Sequence, residues 1–446
     1  DKHPVGELCC VIGDTDVLDF FYEYQLYCKS LYASIQDFTM AAKLKLKEKS
    51  EDELIKKIDS SHIIYDRTDQ SIWQIYTIDP VGSKDFDDAF SFKEENDTNT
   101  LSIYITNVAI WMNVMELWNS FSQRISTIYL PDRKRPMLPT IMSEFLCSLI
   151  QKQTRYTFTL DLVVDKEGNI KSHSFCNTKI RVSKNFTYNQ SNIPNFDNLL
   201  HFLKTMNKKH YYMDSIKDSH DAIAYMMILM NYHTAKKFLE YKSGIFRSMK
   251  LKHECETPKY LPTDIQMFLN SWNSNGSKYI SFGEEKIHEG MKINEYVHVS
   301  SPIRRLVDLI NLLEIQHHLG LMEFNNHSNT FYKHWTQTEQ LNYINHTMKS
   351  IRKVQNECNL LTKCIKEPEI MEKRYHGYIF DVMDRNDGLF QYVVFIQELK
   401  MINKFICYHK LEKFTKYIFR IYLFEDEDSL KQKVRYELES KKNKYK

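Results

Sequence analysis

Four aspartates, Asp79, Asp85, Asp87 and Asp88, lie within a stretch of ten residues. Carboxylates crowded in this way repel one another unless a positive charge lies among them, and a hard divalent cation suits oxygen ligands of this kind. The spacing therefore predicts a loop that binds magnesium or manganese. A solvated acidic loop without a metal is the alternative interpretation.

The sequence around the aspartates indicates how they are positioned. A calcium EF-hand is excluded because, counting from Asp85, Phe90 and Asn96 stand where that loop requires Gly and Glu. Apolar and β-branched residues on either side of the loop, at 72–76 and 101–105, predict two strands. The acidic residues are therefore expected in a turn that connects strands of one sheet.

A second group of residues with chemical potential begins at Ser301. Ser301 is a favourable helix N-cap and Pro302 suits the first helical position, so the sequence predicts that Arg304 and Arg305 project from the first turn of a helix. Arginine beside free backbone N–H groups predicts a phosphate site. A purely structural helix would favour Asp or Glu in its first turn, so the arginines favour a function. Together with a metal-binding loop, they indicate a phosphodiester hydrolase.

A basic stripe is predicted on a strand within residues 168–195. No acidic residue lies between Gly168 and Asn195, and the two-residue period of a strand places Lys179 and Arg181 on one face. Contact with nucleic acid is one interpretation, and a solvated edge strand is the other.

The composition indicates an ordinary globular protein. The chain has 446 residues, of which 42% are hydrophobic and 26% charged, and its net charge of +2 neither favours nor excludes nucleic acid. Nine cysteines without a Cys-x-x-Cys pair suit an intracellular, reducing compartment, either cytoplasm or nucleus. No apolar run approaches the ~20 residues that span a bilayer. The chain opens with Asp1 and without a signal peptide, which suggests a fragment of a longer protein.

Several short motifs, taken in order, resemble those of the ribonuclease II/ribonuclease R (RNB) family, which includes the catalytic subunit of the eukaryotic exosome. The matching blocks are Thr77–Pro80 with Lys84–Ala89, Tyr129–Asp132 with Pro136–Pro139, Leu146–Leu149, Lys184–Tyr188, His288–Gly290 and Tyr296–Arg305. A single Asp-rich loop would be weak evidence, whereas blocks matched in order are specific.

The resemblance implies an α+β fold, in which an RNB catalytic domain with a mixed sheet flanked by helices is followed by a small β-barrel. The implied divisions are the end of a cold-shock-like OB domain at 1–20, a helical lead-in at 21–70, the RNB domain at 71–325, a helical connector at 326–368, an RNA-binding OB fold at 369–438 and a basic tail at 439–446.

The resemblance also implies an activity, which is magnesium-dependent hydrolysis of single-stranded RNA from the 3′ end to nucleoside 5′-monophosphates. Asp79, Asp85, Asp87 and Asp88 would hold the metal, with Asp87 the least dispensable, and Arg304 would lie against the scissile phosphate. The residues expected to contact RNA are Tyr129 and Tyr188, which would stack on bases, together with Ser301, Arg305, His288, Tyr296, Lys179 and Arg181.

This sequence departs from the family pattern at several positions. Asn107 stands where members usually have Asp, Leu312-Leu313 where His-Arg is common, and Ala224-Tyr225 where the family has a Glu pair. An RNB-fold RNA-binding scaffold or translational regulator without turnover is therefore the alternative, and a metal-dependent DNA nuclease is a third hypothesis. The chain is expected to be monomeric, and membership of a larger RNA-decay complex is left open.

Overall fold

A computed structural model describes residues 6–8, 10–14, 17–190, 192–249, 258, 260–262, 264–266, 268–269, 277–284, 293–385, 387–426 and 431–440. Two predicted features fall wholly or partly elsewhere. His288 lies outside the described residues, and so does the predicted basic tail from 441 onwards.

Three helices precede the main sheet: α1 (Leu18–Cys28), α2 (Gln36–Glu48) and α3 (Glu51–Ser61). The α3 helix begins with a capping box, because the Ser50 side chain accepts from the N–H of Glu53 while the Glu53 carboxylate accepts from the N–H of Ser50. These helices lie where the helical lead-in was predicted, and the domain boundaries themselves stay a prediction.

A seven-stranded mixed sheet forms the centre of the chain. Its strands lie in the order β1-β8-β7-β4-β3-β2-β9, with β1 parallel to β8 and β2 parallel to β9. Their bounds are β1 (Ile64–Arg67), β2 (Tyr76–Asp79), β3 (Asp88–Glu94), β4 (Thr98–Thr106), β7 (Thr154–Asp165), β8 (Ile170–Arg181) and β9 (Lys184–Thr187).

A hairpin turn around Gly168 joins β7 and β8. Asp165 stabilises its turn, since one carboxylate oxygen accepts from the backbone N–H groups of Glu167 and Asn169. Gly168 has φ +87°, a conformation that favours glycine.

Helices pack around this sheet, and one of them is buried on every side. They are α4 (Val108–Val114), α5 (Phe196–His210), α6 (Ser219–Tyr241) and α7 (Leu306–His318). Residues 306–316 of α7 are all buried, which explains why apolar side chains occupy nearly its whole circumference. The methionine-rich centre of α6 faces the core, with Met226 and Met230 fully buried.

Two short antiparallel pairs lie beside the sheet. One pairs β5 (Ile128–Tyr129) with β6 (Lys134–Arg135), and the other pairs β10 (Ile245–Ser248) with β11 (Lys278–Ser281). A single turn of π-helix, Ile141–Leu146, follows β6.

The segment after α7 contains two helices, α8 (Asn326–Trp335) and α9 (Thr338–Lys366). They are separated at Gln337, which adopts extended backbone angles. No helix in the described ranges is both long and apolar enough to cross a membrane.

A five-stranded antiparallel sheet follows the short helix α10 (Glu369–Glu372). Its order is β14-β13-β12-β15-β16, with β12 (Tyr375–Asp384), β13 (Phe390–Ile396), β14 (Met401–Cys407), β15 (Lys416–Asp426) and β16 (Lys431–Ser440). Gly377 lets β12 pack closely, because a Cβ there would lie 2.6 Å from the Phe419 ring and from Val394. This sheet is consistent with the predicted OB-like unit, and the mixed architecture confirms the α+β class.

Candidate active site

The four aspartates lie where β2 ends and β3 begins. Asp79 is the last residue of β2 and Asp88 is the first residue of β3. The connecting loop is held by the buried Ser148, whose hydroxyl accepts from the N–H of Phe86 at 3.0 Å and donates to the carbonyl of Lys84 at 2.7 Å. The aspartates are therefore fixed to the edge of the sheet by a hydroxyl that is 62 to 64 residues distant in sequence.

Asp87 connects the acidic loop to the arginine-bearing segment. Its carboxylate accepts from the backbone N–H of Ile303 at 3.0 Å and from Nε of Arg304 at 3.3 Å. The residue is only 5% exposed, so a solvated acidic loop is the wrong interpretation at this position. Burial raises the pKa of Asp87 to about 7, against the lowering effects of Arg304 and of the Ile303 N–H.

Asp85 is paired with a different cation. Its carboxylate accepts from Nζ of Lys134 at 3.0 Å and from the hydroxyl of Tyr129 at 3.4 Å. Lys134 also lies 2.8 Å from the carboxylate of Glu144 on the π-helical turn. Burial lowers the pKa of Lys134, but its contacts with Glu144 and Asp85 outweigh this effect and raise it.

Asp79 and Asp88 have no ion pair in the described ranges, and Asp79 Oδ2 is buried without a hydrogen-bond partner. Burial raises the pKa of Asp79 to about 6, with a contribution from the charge of Asp85 against the Thr77 hydrogen bond. Burial also raises the pKa of Asp88 well above its usual value, and the charges of Asp79 and Asp87 add to this. An orphaned, buried carboxylate oxygen beside a second carboxylate fits a hard divalent cation.

The four carboxylates do not all converge on one point. Within the described ranges, three side chains offer ligand atoms within 4.8 Å of one another only at Asp218, His220 and Asp221, around the start of α6. Asp85 and Asp87 are directed instead towards Lys134 and Arg304. The Asp218 group is accounted for by helix capping, because the Asp218 side chain accepts from the N–H of Asp221.

The predicted helix start at Ser301 is wrong, since α7 begins at Leu306 with Arg305 as its N-cap residue. Tertiary pairing prevents an earlier start: the Arg304 carbonyl accepts from Thr127 N–H at 3.0 Å, and Leu306 N–H donates to the carbonyl of Ile125 at 2.9 Å. Arg304 therefore projects from a turn, and the backbone donors of a helix N-terminus are not part of this site.

Asp308 holds this turn from inside α7. It is fully buried, and its Oδ1 accepts from the backbone N–H of Ser301 and from the Arg305 guanidinium, each at 2.8 Å. Arg305 is thus bound in an internal ion pair, whereas the side chain of Arg304 is 42% exposed. The Ser301 hydroxyl, predicted to contact RNA, accepts from the Arg304 guanidinium at 3.0 Å.

Asn231 on α6 fixes the segment that leads into the turn. Its amide donates to the hydroxyl of Tyr296 at 2.9 Å and to the hydroxyl of Ser300 at 3.3 Å, and its carbonyl accepts from Val299 N–H at 2.9 Å. Tyr296 is buried, and burial raises its pKa to about 12.

Tyr188 is placed beside the acidic loop by the parallel pairing of β9 with β2. Its backbone N–H donates to the carbonyl of Asp79 at 3.3 Å, and its ring lies 5.2 Å from that of His220. Burial raises the pKa of Tyr188 to about 12, and the charges of Asp88 and Asp79 add to the effect. Tyr129 is 40% exposed on the opposite hairpin.

One cavity of about 890 Å³ gathers most of the predicted site. Its lining includes ten of the thirteen predicted residues: Asp79, Asp85, Asp87, Asp88, Tyr129, Tyr188, Tyr296, Ser301, Arg304 and Arg305. Residues of α6, among them Ile223, Ala224 and Met227, provide an apolar part of the wall.

The predicted basic stripe does not line this cavity. Lys179 lies 2.6 Å from the carboxylate of Asp59, and Arg181 is exposed near the hydroxyl of Thr154. The alternative of an edge strand is wrong, since β8 lies between β1 and β7. Contact of Lys179 and Arg181 with RNA stays a prediction.

Sequence patterns did not identify Lys134, Glu144, Ser148, Asn231 or Asp308 as parts of the site. Their contacts depend on tertiary placement, and no periodicity marks them. Among these five residues, Asp308 could have been identified from the sequence, because a carboxylate in a largely apolar helix requires a buried partner.

The neutral network at Asn107 shows how one departure from the family pattern is accommodated. The Asn107 amide donates to Asn177 at 3.0 Å and to Gln316 at 2.7 Å, and its carbonyl accepts from the N–H of Ile110 as the cap of α4. The position is therefore fully hydrogen-bonded without a charge.

Comparisons with known proteins agree with this arrangement. The sequence model of the RNB domain matches residues 67–195. Ribonuclease R of Aquifex aeolicus (strain VF5) is 24% identical over 310 residues, which is 53% of this chain and 44% of that protein. The chain spans less than half the length of the curated relatives that it matches.

Solved structures share the fold. Mycoplasma genitalium RNase R in complex with ribose methylated single-stranded RNA matches with a TM-score of 0.69 and 18% identity, over 95% of this chain and 75% of that one. Yeast Ssd1, a pseudonuclease, matches with a TM-score of 0.67 and 12% identity, over 88% of this chain and 56% of that one. Residues 67–195, which include the acidic loop, therefore match the RNB domain, and the chain shares its fold with the solved RNase R structure.

Proposed function

We propose that the chain is a magnesium-dependent hydrolytic 3′→5′ exoribonuclease that degrades single-stranded RNA to nucleoside 5′-monophosphates. The observation that carries the proposal is the contact between Asp87 and Arg304, residues 217 positions apart that meet in one cavity. In phosphodiester hydrolysis a carboxylate cluster can hold the metal ion, and an arginine can stabilise the negative charge that develops on the phosphate.

Asp79 and Asp88 would hold magnesium or manganese, with Asp85 and Asp87 completing the acidic environment. Such an ion supplies charge neutralisation of the phosphate and lowers the pKa of a bound water. The half-exposed guanidinium of Arg304 would donate to phosphate oxygens whose negative charge increases during the reaction. The Ser301 hydroxyl, which accepts from that guanidinium, would orient it towards the phosphate.

Tyr129 and Tyr188 line the cavity together with the aspartates. Aromatic rings at these positions would stack on bases near the 3′ end, which allows binding without a strict sequence preference. The relative whose structure contains ribose methylated single-stranded RNA supports RNA as the substrate class. We propose further that the chain acts on RNA as a monomer, in the cytoplasm or nucleus, either alone or within a larger RNA-decay complex.

The proposal is tested with a single-stranded RNA labelled at its 5′ end in one reaction and at its 3′ end in another. With magnesium, the 5′ label should appear in a descending ladder, while the 3′ label should be released at once as a 5′-mononucleotide. EDTA should stop both reactions, and a DNA oligonucleotide of the same sequence should stay intact. Equal cleavage of RNA and DNA would instead support a DNA nuclease.

A second candidate is an RNA-binding scaffold without turnover. The similarity in fold to the pseudonuclease Ssd1, and the pairing of Asp85 and Asp87 with protein cations, favour this alternative. The four aspartates and the orphaned Asp79 Oδ2 favour the enzyme. RNA binding without shortening, in the presence of magnesium or manganese, would establish the scaffold.

A further inference from the structure

Lys134 and Tyr129 both donate hydrogen bonds to the carboxylate of Asp85. They are cross-strand partners in the hairpin of β5 and β6, so both side chains extend from the same position of the hairpin. The Lys134 ammonium lies 3.0 Å from Asp85 Oδ1, and the Tyr129 hydroxyl lies 3.4 Å from Asp85 Oδ2. Both carboxylate oxygens of Asp85 therefore have a donor from the protein.

Glu144 holds the same ammonium from the opposite side. Its carboxylate lies 2.8 Å from Nζ of Lys134, and the side chains of Lys134 and Glu144 are 25% and 15% exposed. Glu144 belongs to the π-helical turn, an uncommon conformation that often occurs at functional sites. The lysine is thus fixed between two carboxylates within the cavity.

This arrangement divides the cavity into two unequal parts. On one side, Lys134 provides a permanent positive charge between Asp85 and Glu144. On the other side, Asp79 and Asp88 have no ion pair in the described ranges, and Asp79 Oδ2 has no hydrogen-bond partner. The first part keeps one net negative charge, whereas the two carboxylates of the second part have no paired cation, so an added cation is expected at the second part.

We propose that the cavity binds a single divalent ion, at Asp79 and Asp88, and that the Lys134 ammonium takes the place of a second ion beside Asp85. In two-metal nucleases the ions lie about 3.5–4 Å apart and share the charge of the phosphate. Here Lys134 would supply the second positive charge and keep Asp85 turned away from the bound ion. Lys134 is then a positioning residue, and its role rests on the proposed function.

The direct test counts bound Mn²⁺ by isothermal titration calorimetry and by electron paramagnetic resonance on the RNA-free protein. The wild type should bind one ion in the cavity. Lys134→Met removes the ammonium but keeps much of its length, so Asp85 and Glu144 become free to bind, and a second ion or about tenfold tighter binding is expected from the added negative charge.

Two variants serve as controls. Lys134→Arg keeps the charge and should bind one ion as the wild type does. Lys84→Met removes a lysine that lines the same cavity without an ion pair in the described ranges, so it tests the effect of net charge alone. It should leave the number of bound ions at one.

The failure of this inference can be distinguished from failure of the proposed function. If the wild type degrades RNA and binds Mn²⁺, but Lys134→Met has the same stoichiometry and affinity, the role of Lys134 is refuted. Two ions in the wild type would refute it as well. If the wild type neither binds Mn²⁺ in the cavity nor degrades RNA, the proposed function itself fails. Circular dichroism of each variant shows whether it is folded. If Lys134→Met does not fold, Lys134→Arg is decisive: one bound ion supports the proposal and two bound ions overturn it.

Discussion

Replacing Arg304 by alanine should impair the chemical step far more than it impairs folding. The Arg304 side chain is 42% exposed and its Nε lies 3.3 Å from Asp87. Arg304 is accessible to water whereas Asp87 is buried, so loss of the pair lowers the free energy of unfolding by only about 1 kcal/mol when Asp87 is neutralised. In its absence Asp87 can take up a proton and keeps its hydrogen bond from Ile303 N–H.

The expected loss in rate is larger than this. Removing one donor that stabilises developing charge lowers turnover by about 10²–10³, which corresponds to roughly 2.7–4 kcal/mol in the activation free energy. The difference between the two energies means that unfolding cannot explain the loss. Arg305 cannot replace the lost group, because its guanidinium is bound to Asp308.

The assay is a single-turnover reaction on 5′-labelled RNA with enzyme in excess, with affinity measured separately by fluorescence anisotropy in EDTA. Arg352→Ala is the matched control, because Arg352 is an exposed arginine on α9 that does not line the cavity and is not among the residues predicted to contact RNA. The rate constant of Arg304→Ala should fall by the stated factor with a much smaller change in affinity. An equal loss of rate and affinity would refute the reasoning and make Arg304 a binding residue for the ground state.

Other predictions follow from the same contacts. Tyr188→Ala should change the length of the final RNA product with little effect on the rate for longer RNA, and an unchanged ladder on a sequencing gel would contradict its stacking role. Asn231→Ala removes the acceptor of the buried Val299 N–H, so thermal unfolding should show a loss of about 1–3 kcal/mol, with no loss as the contrary result. The raised pKa values of Asp79, about 6, and Asp87, about 7, stabilise the metal-free fold below pH 4, and this stabilisation is lost as the pH rises through 6 to 7. Magnesium should therefore raise Tm more at pH 8 than at pH 5, and an equal effect at both values would contradict the burial of these carboxylates.

The sequence was most informative where chemistry requires particular residue types. The crowding of Asp79 to Asp88 was recognisable because like charges so close together repel one another. Arg304 was identified although the helix start on which its electrostatic argument rested is wrong. The strand predicted at 101–105 is confirmed within β4, whereas the strand predicted at 72–76 is wrong in position, since β2 runs from Tyr76 to Asp79. Most of the residues predicted for the site, ten of thirteen, therefore line the cavity.

Features that depend on tertiary contacts were not predictable. Ser301 and Pro302 are favourable residues for a helix start, but backbone pairing of the turn with residues 125–127 moves the start to Leu306. Lys134 carries no signal of its own, since its partners come from a loop and a π-helical turn at a distance in sequence. The stripe of Lys179 and Arg181 was recognised as a strand face, but its position inside the sheet depends on the parallel pairing of β1 with β8.

The role of Asp87 in RNA hydrolysis is tested most directly by comparing the wild type with Asp87→Asn on 3′-labelled single-stranded RNA in magnesium. Asparagine keeps the size of the side chain and can still accept from Ile303 N–H, so the fold and RNA affinity should be nearly unchanged. The wild type should release labelled 5′-mononucleotide, and Asp87→Asn should release none. Equal release by both proteins, or no release by the wild type with either magnesium or manganese, would contradict it.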